Sequence, residues 1–485
     1  MSPPLLIIAF TLLAVLVLAV TARRRVRMNL EEWSIGGRGF SAPLVFVLMA
    51  GEIYTTFTLL GASGFAYGYG GASLYIIVYT TQAFVLSYWL LPAIWRFAKE
   101  NELLTQADFF ARKYDSTPLG LLVACISLTA LLPYLILQFK GLGILVSATS
   151  YGSISSKIAI WVGAAVMGVY VMAAGMHGSA VTAVVKDVLV LSVCVFLGVY
   201  LPIHYYGNLP GMFSAIDAAK PGFLSLSAHG KNLTWYVSTI TVCGLGMFMW
   251  PHTFSSVFTA KSDDHFRRNA SVMPLYALVM LFSMFVGMAA VLRIPPLKGG
   301  QIDLALLRLS IATFNPWEVG VIGAAGLLTA LVPGSIMLVS VATLFTQNVY
   351  RPLAPRATDE RLARVAKFAA AAFTLLSAAI ALYDVQSIVA LLIMGYNLVT
   401  QVLPALLASL LTNNPVNRLG AAVGMTTGLA AVLTMYWTGG MFAGLFPSQS
   451  WIADINPGLV ALLLNVATMV AVSTLTAHKV IDVRT

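Results

Sequence analysis

Thirteen runs of roughly 20 or more mostly apolar residues dominate the chain, each long enough to cross the ~30 Å hydrocarbon core of a bilayer as a helix. They lie near residues 3–22, 42–70, 71–97, 119–148, 158–176, 179–205, 234–258, 271–293, 318–348, 366–384, 386–411, 419–437 and 457–477. Uninterrupted stretches such as LLIIAFTLLAVLVLAV read as helix, and the two-residue alternation of a membrane barrel is missing. Only 9% of the 485 residues are charged and the mean hydropathy is +0.87, where a soluble domain carries about 25% charge. That excludes a water-soluble enzyme and a disordered chain alike. No connection is long enough for a separate soluble domain, so the expectation is a single all-α membrane domain over residues 1–485. Cys125, Cys194 and Cys243 fall inside apolar runs without metal-ligand spacing and read as buried packing residues.

Charge sets the orientation. No basic region precedes the first run, while Arg23, Arg24, Arg25 and Arg27 follow it, the polarity of an uncleaved helix with its N-terminus outside. With that end fixed, twenty of the 28 Lys and Arg residues face inward, six face outward, and Lys140 and Lys186 fall within runs. The bias favours thirteen spans, N-terminus out and C-terminus in, in a cytoplasmic (inner) membrane.

Two spans carry interruptions. The second reads LMAGEIYTTFTLLGASGFAYGYG, with Gly51 beside Glu52 near mid-depth, and the seventh reads VCGLGMFMWPHTFSS, with Gly244, Gly246 and the pair Pro251-His252. Gly and Pro at corresponding places in two halves of a transporter-like chain point to discontinuous helices lining a central site. Because the two lie five spans apart, residues 42–206 and 207–411 are expected to be inverted five-helix repeats. Residues 1–41 add a first span and loop, and residues 412–485 add the last two spans.

The segments SIGGRGFSAP before the second span, GSAVTAVVKDVLV in the sixth, the GLG and PH pattern in the seventh and SVATLFTQNVY closing the ninth occur in an order that resembles the sodium/solute symporter family. AGEIYTTFTLLGASGFAYG, LPYLILQ, MFMWPHTFSSVFTAKS with the following RRNA, and TQVLPAL look most like its bacterial monocarboxylate permease branch. The likeness covers about residues 31–410. It implies a LeuT-like core of ten helices in an inverted repeat, alternating access, and a small organic acid such as lactate, pyruvate, acetate or propionate as substrate.

Ionisable side chains deep in a span are costly and mark functional positions by default. Glu52, Lys140, Lys186 and Asp187 qualify. Glu52 can hold a cation, relay a proton or cap backbone groups freed by the break. Lys140 can draw anions toward the outer vestibule or snorkel to the interface. The resemblance implies that the carbonyls of Gly51 and Tyr54 lie where relatives hold sodium, that Asp187 lies close to that site, and that paired hydroxyls complete it from the ninth span. In this chain the positions of that pair are Val332 and Pro333, whose side chains offer no oxygen, and the residue before Asp187 is Lys186. A lysine ammonium carries the charge of the missing ion, so one reading has Lys186 replacing sodium, with Lys186, Asp187 and Glu52 as candidate proton carriers. The other has Lys186 snorkelling and Ser335, Ser340 or Thr343 serving as the hydroxyls.

For the substrate carboxylate, half-helix N-termini at the breaks offer unpaired N–H groups. Beside them stand Tyr75, Tyr79, Gln82, Tyr134, Gln138, Trp250, His252, Asn397 and Gln401 as candidate contacts, each equally able to hydrogen-bond between helices. His252 can move a proton or satisfy carbonyls freed by Pro251. The expected function is a secondary active symporter, functional as a monomer, of a small monocarboxylate with H+, or alternatively a sodium-coupled symporter of a monocarboxylate, amino acid or other small solute. A membrane-embedded enzyme or sensor is the competing class, yet the histidines lack the spacing of a metal enzyme and no nucleotide-binding loop appears. No cofactor and no nucleic-acid partner is expected.

Overall fold

The computed structural model describes residues 2–23, 30–383, 386–438 and 450–481. Among them every regular element is helical, apart from an isolated bridge between Phe40 and Ala260. The helices are α1 (Pro3–Arg23), α2 (Leu30–Ile35), α3 (Ala42–Ile53), α4 (Ala62–Tyr69), α5 (Tyr75–Glu100), α6 (Gln106–Lys113), α7 (Thr117–Thr149), α8 (Ser156–Tyr206), α9 (Leu209–Ala219), α10 (Leu233–Gly246) and α11 (Pro251–Val257). They continue with α12 (Asp264–Ala277), α13 (Val279–Ala290), α14 (Ala305–Thr313), α15 (Pro316–Leu344), α16 (Arg351–Leu353), α17 (Asp359–Ala381), α18 (Ile388–Val399), α19 (Leu403–Leu410), α20 (Arg418–Trp437), α21 (Ser450–Ala453) and α22 (Pro457–Ile481).

Among the described residues, ten continuous helical passages are long and apolar enough to cross a membrane, or eleven if the bent pair Leu233–Met249 and Pro251–Val257 forms one span. The difference from thirteen has a local cause. Ala42–Ile53 and Ser156–Met172 are apolar but shorter, and Phe57–Glu100 runs as one 44-residue helical passage through a turn at Gly70–Leu74. Gly70 takes φ +50° in that turn, a backbone region side chains avoid. The helical trace of α8 likewise contains two of the expected runs, joined at Gly175 with φ 57° and ψ −163°. A Cβ there would lie 2.8 Å from Trp33 Cδ1, so conformation and space both require glycine.

The core forms around α15. Its apolar window is entirely buried, and it packs on α1, α7 and α8. Its start is set by Asn315, which accepts from the N–H groups of Trp317 and Glu318 at 3.0 and 3.1 Å while Glu318 Oε2 accepts from Asn315 N at 3.0 Å. This capping box, with Pro316 at the first helical position, satisfies donors that no helix can pair internally. Helices α20 and α22 pair with each other and touch the bundle through α7, α10 and α18. Cys194 and Cys243 are buried, whereas Cys125 is exposed on the outer face of α7, against the reading that all three are interior. That face of the helix needs only to be apolar.

Candidate functional site

The second span breaks just past Gly51 and Glu52, which close the last turn of α3. Helix α3 ends at Ile53, Tyr54 leaves helical geometry with φ −80° and ψ 74°, and a wide turn at Phe57–Gly61 starts the second half. Three hydroxyls tie the broken backbone. Thr58 donates to Ile53 O at 2.6 Å, the Thr55 hydroxyl accepts from Phe57 N at 3.2 Å, and Thr56 donates to Gln138 Oε1 of α7 at 2.6 Å. Carbonyls released by a break need a donor or a cation.

Lys186 supplies both. Its side chain is fully buried and its ammonium donates to the carbonyls of Gly51 and, at 3.1 Å, Tyr54, while lying 3.0 Å from Asp187 Oδ1. It does not snorkel. Gly51 makes room for it, since a Cβ there would sit 3.2 Å from Lys186 Nζ and 3.3 Å from Ala183 Cβ. Val332 and Pro333 are buried in α15, and the hydroxyls proposed as alternatives are otherwise engaged or unpaired. Ser335 donates to Val332 O at 2.6 Å and meets the Ser179 hydroxyl at 2.9 Å, Thr343 donates to Val339 O at 2.8 Å, and Ser340 has no hydrogen-bond partner among the described residues.

The seventh span breaks at Trp250, whose ψ of 128° separates Met247–Met249 from α11. Gln106 Nε2 of α6 donates to the freed Met249 carbonyl at 2.9 Å and its Oε1 accepts from Ser127 at 2.9 Å. Between the two breaks lies a cavity of about 30 Å³, lined by Glu52, Tyr79, Thr80, Tyr134, Trp250, His252, Thr253, Met280 and Tyr396 among others. A cavity of 10–15 Å³ holds one water, and drug-sized ligands occupy ~300 Å³ or more, so the space between the breaks is narrow in this arrangement. Glu52 is 5% exposed; Ser256 donates to its Oε1, and its Oε2 has no hydrogen-bond partner among the described residues. Aromatic rings line the same cavity and pack on one another, with Tyr134 4.7 Å from Trp250 and 5.5 Å from His252, and Tyr396 5.2 Å from Trp250 and 5.6 Å from Tyr79, centroid to centroid.

Of the candidate substrate contacts, Tyr79, Tyr134, Trp250 and His252 therefore gather at the cavity. The others are placed elsewhere. Tyr75 stacks behind Tyr79 at 5.7 Å, and Gln82 packs on Gly244. Gln138 holds the first break through Thr56. Asn397 donates to the Tyr436 hydroxyl at 3.0 Å, and Gln401 donates to Asn397 O and accepts from Asn465, so both tie α18 and the turn after it to α20 and α22. Lys140 is buried within electrostatic reach of Asp303, whose Oδ2 accepts from Ile388 N at 2.9 Å. Sequence reasoning missed Tyr396, Ser256 and Gln106. Tyr396 adjoins Asn397, Ser256 lies one turn beyond His252, and nothing in the sequence singles out Gln106.

One further network lies at the arginine-rich end. Asn348, within the TQNVY segment, donates to Asp108 Oδ1 at 2.6 Å and accepts from the Thr105 hydroxyl at 2.8 Å. Thr105 and Asp108 also form the capping box of α6, the helix that carries Gln106.

A bundle of membrane-length helices with two broken helices facing a central cavity is the architecture of a membrane transporter. The sequence model of the sodium:solute symporter family matches residues 33–428, and the chain belongs to that family. It is 53% identical over 477 residues to the uncharacterized symporter YhjB of Bacillus subtilis, covering 98% of both chains. To the symporter YodF of the same organism it is 30% identical, covering 93% of each. A monocarboxylate transport permease protein of Rhizobium johnstonii is 27% identical over 93% of this chain and 91% of its own. Among solved structures, a substrate-bound, outward-open Na+-coupled sialic acid symporter superposes with a TM-score of 0.78 at 16% identity, covering 98% of each chain. A nucleobase-cation-symport-1 family transporter in a closed conformation gives 0.55 at 13% identity, covering 89% of this chain and 92% of that one. The protein is an integral membrane transporter with this LeuT-like fold, and not an enzyme.

Proposed function

We propose that the protein imports a small organic monocarboxylate of the lactate, pyruvate, acetate or propionate type by symport with protons, Lys186 standing where relatives hold sodium. The observation that carries this is the Lys186 ammonium on the Gly51 and Tyr54 carbonyls beside Asp187. A cation fixed by the chain leaves sodium no charge to supply, and Val332 and Pro333 add no oxygen ligand. The substrate class is supported by the likeness to a monocarboxylate permease and by a narrow cavity in which Glu52, His252 and three tyrosines face a largely apolar wall, a setting suited to a small acid with a short apolar tail. Sodium coupling is the second reading, favoured by the family and by the sialic acid symporter that shares the fold.

The same reading takes the helices as thirteen spans, counting both broken helices once and dividing α8 at Gly175. Residues 42–206 and 207–411 are then inverted repeats around the two breaks. The arginine-rich end faces the cytoplasm, with the N-terminus outside and the C-terminus inside, and the monomer is the functional unit.

The test is uptake of labelled lactate, pyruvate and acetate into proteoliposomes under separately imposed pH and sodium gradients, repeated with Lys186→Ala. The proposal predicts accumulation driven by an inward proton gradient without sodium, and its loss in the variant. Strict sodium dependence of the wild type would sink it.

A further inference from the structure

Resting on that reading, we infer that Glu52 carries the coupling proton and shares it directly with the carboxylate of the substrate, as a carboxylic acid–carboxylate pair. The cavity between the breaks is lined, among the described residues, by no lysine or arginine. Glu52 is its one carboxyl group, with His252 and the phenols of Tyr79, Tyr134 and Tyr396 as the other titratable groups facing it. The nearest cation, Lys186 on α8, is already engaged with two carbonyls and Asp187 and is absent from the cavity wall. An organic anion entering this space therefore meets a buried carboxyl with one oxygen tied to Ser256 and the other, beside the Thr253 hydroxyl, making no hydrogen bond of normal geometry. Two carboxylates cannot both stay charged at hydrogen-bond distance in a poorly hydrated site, so one proton must sit between them. The geometry has its place ready at Glu52 Oε2, which accepts no hydrogen bond of normal geometry.

The cycle balances. Glu52 takes one proton from the outer water, and its O–H donates to one carboxylate oxygen of the substrate. After the cavity opens inward, the anion leaves and Glu52 gives the proton to the inner water, or the proton crosses to the substrate oxygen and the neutral acid leaves with it. Either route moves one H+ with one RCOO−, and the site has the same charge empty and ionised as it has when loaded. Lys186 keeps its proton throughout, because deprotonation would leave one of its acceptors without a donor. Specificity follows as well. An amide or an alcohol of the same size needs no shared proton and gains nothing from the pair.

The experiment uses the full-length protein in proteoliposomes with labelled lactate, pyruvate and acetate as probes. In the wild type, the apparent KM rises by about tenfold per unit rise in outer pH on the alkaline side of the titration, the signature of one proton per substrate. Glu52→Gln keeps a hydrogen-bond donor facing the substrate, so it supports substrate counterflow at reduced rate but no longer accumulates substrate under a pH gradient, and its KM is flat with pH. Glu52→Asp retains accumulation with a changed KM. If Glu52→Gln gives no counterflow, proton uptake on binding in weakly buffered detergent decides: one proton per substrate in the wild type and none in the variant. Gradient-driven accumulation by Glu52→Gln, or its loss in His252→Gln with counterflow intact, overturns the inference while leaving proton-coupled transport standing. A wild type that needs sodium overturns the underlying reading instead.

Discussion

The Lys186 ammonium lies 3.1 Å from the Tyr54 carbonyl, at the point where the second span stops being helical. A side chain from α8 thereby satisfies backbone freed in another helix and couples the two. Removing it by Lys186→Met leaves two carbonyls and the Asp187 carboxylate buried without their partner. Breaking a buried pair in this way costs ~3–5 kcal/mol. Melting in detergent is predicted to fall accordingly, and adding Asp187→Asn to Lys186→Met is predicted to restore part of the loss in a double-mutant cycle.

Two glycines near this region separate what side chains and backbone tolerate. A Cβ on Gly51 would meet Lys186 Nζ at 3.2 Å, a flexible neighbour, whereas one on Gly64 would meet Ile302 O at 2.7 Å and Asp303 Cα at 2.9 Å, which are backbone. Overpacking costs roughly 1–3 kcal/mol. Gly64→Ala is predicted to lie at the upper end of that range and Gly51→Ala at the lower, with Gly51→Ala slowing uptake because the ammonium shifts. Paired melting and initial-rate measurements check both.

Asn348 holds Asp108 and Thr105 at the arginine-rich end. Without that amide, α6 loses its tie to the end of the ninth span, and Gln106 loses its fixed position at the Met249 carbonyl. Asn348→Ala is therefore predicted to favour opening at this end. Alkylation of a cysteine placed at Thr253 should become faster from that side of the membrane, against a slow rate in the parent.

Asp303, in the loop between α13 and α14, has its carboxyl pushed up to about 7 by burial, against the opposing pull of the Ile388 N–H and Lys140. An acid whose folded value is raised binds more protons in the native state than unfolded, so its stabilising contribution is largest below the ordinary carboxylate range and is lost as pH rises toward 7. The wild type is predicted to melt progressively lower from pH 5 to pH 8, relative to Asp303→Asn. The asparagine keeps an oxygen for Ile388 N and does not titrate.

Both breaks are legible in the sequence to within a few residues, because Gly51-Glu52 lies just before one and Pro251-His252 just after the other in runs that are otherwise mostly apolar. Lys186 is legible too, since an ionisable group mid-span has few destinations. The cavity wall is less so. Asn397 and Gln401 look like site residues by polarity, but α18 turns that face toward α20 and α22 and presents Tyr396 to the cavity instead. One residue of rotation separates the two outcomes, about 100° of helix, and only packing decides it. Gln106 and Asp303 act across distant chain segments, so no local pattern announces them. The turn at Gly70 and the junction at Gly175 show the same limit for span boundaries, where helical hydrogen bonding runs on past a change of direction.

Direct binding of radiolabelled sodium to the purified protein tests the place of Lys186 most directly. The wild type is predicted to show no saturable sodium binding, and Lys186→Ala to gain it, because the Gly51 and Tyr54 carbonyls and Asp187 then surround a space the size of an ammonium group. Saturable sodium binding by the wild type, unchanged in Lys186→Ala, would contradict the account.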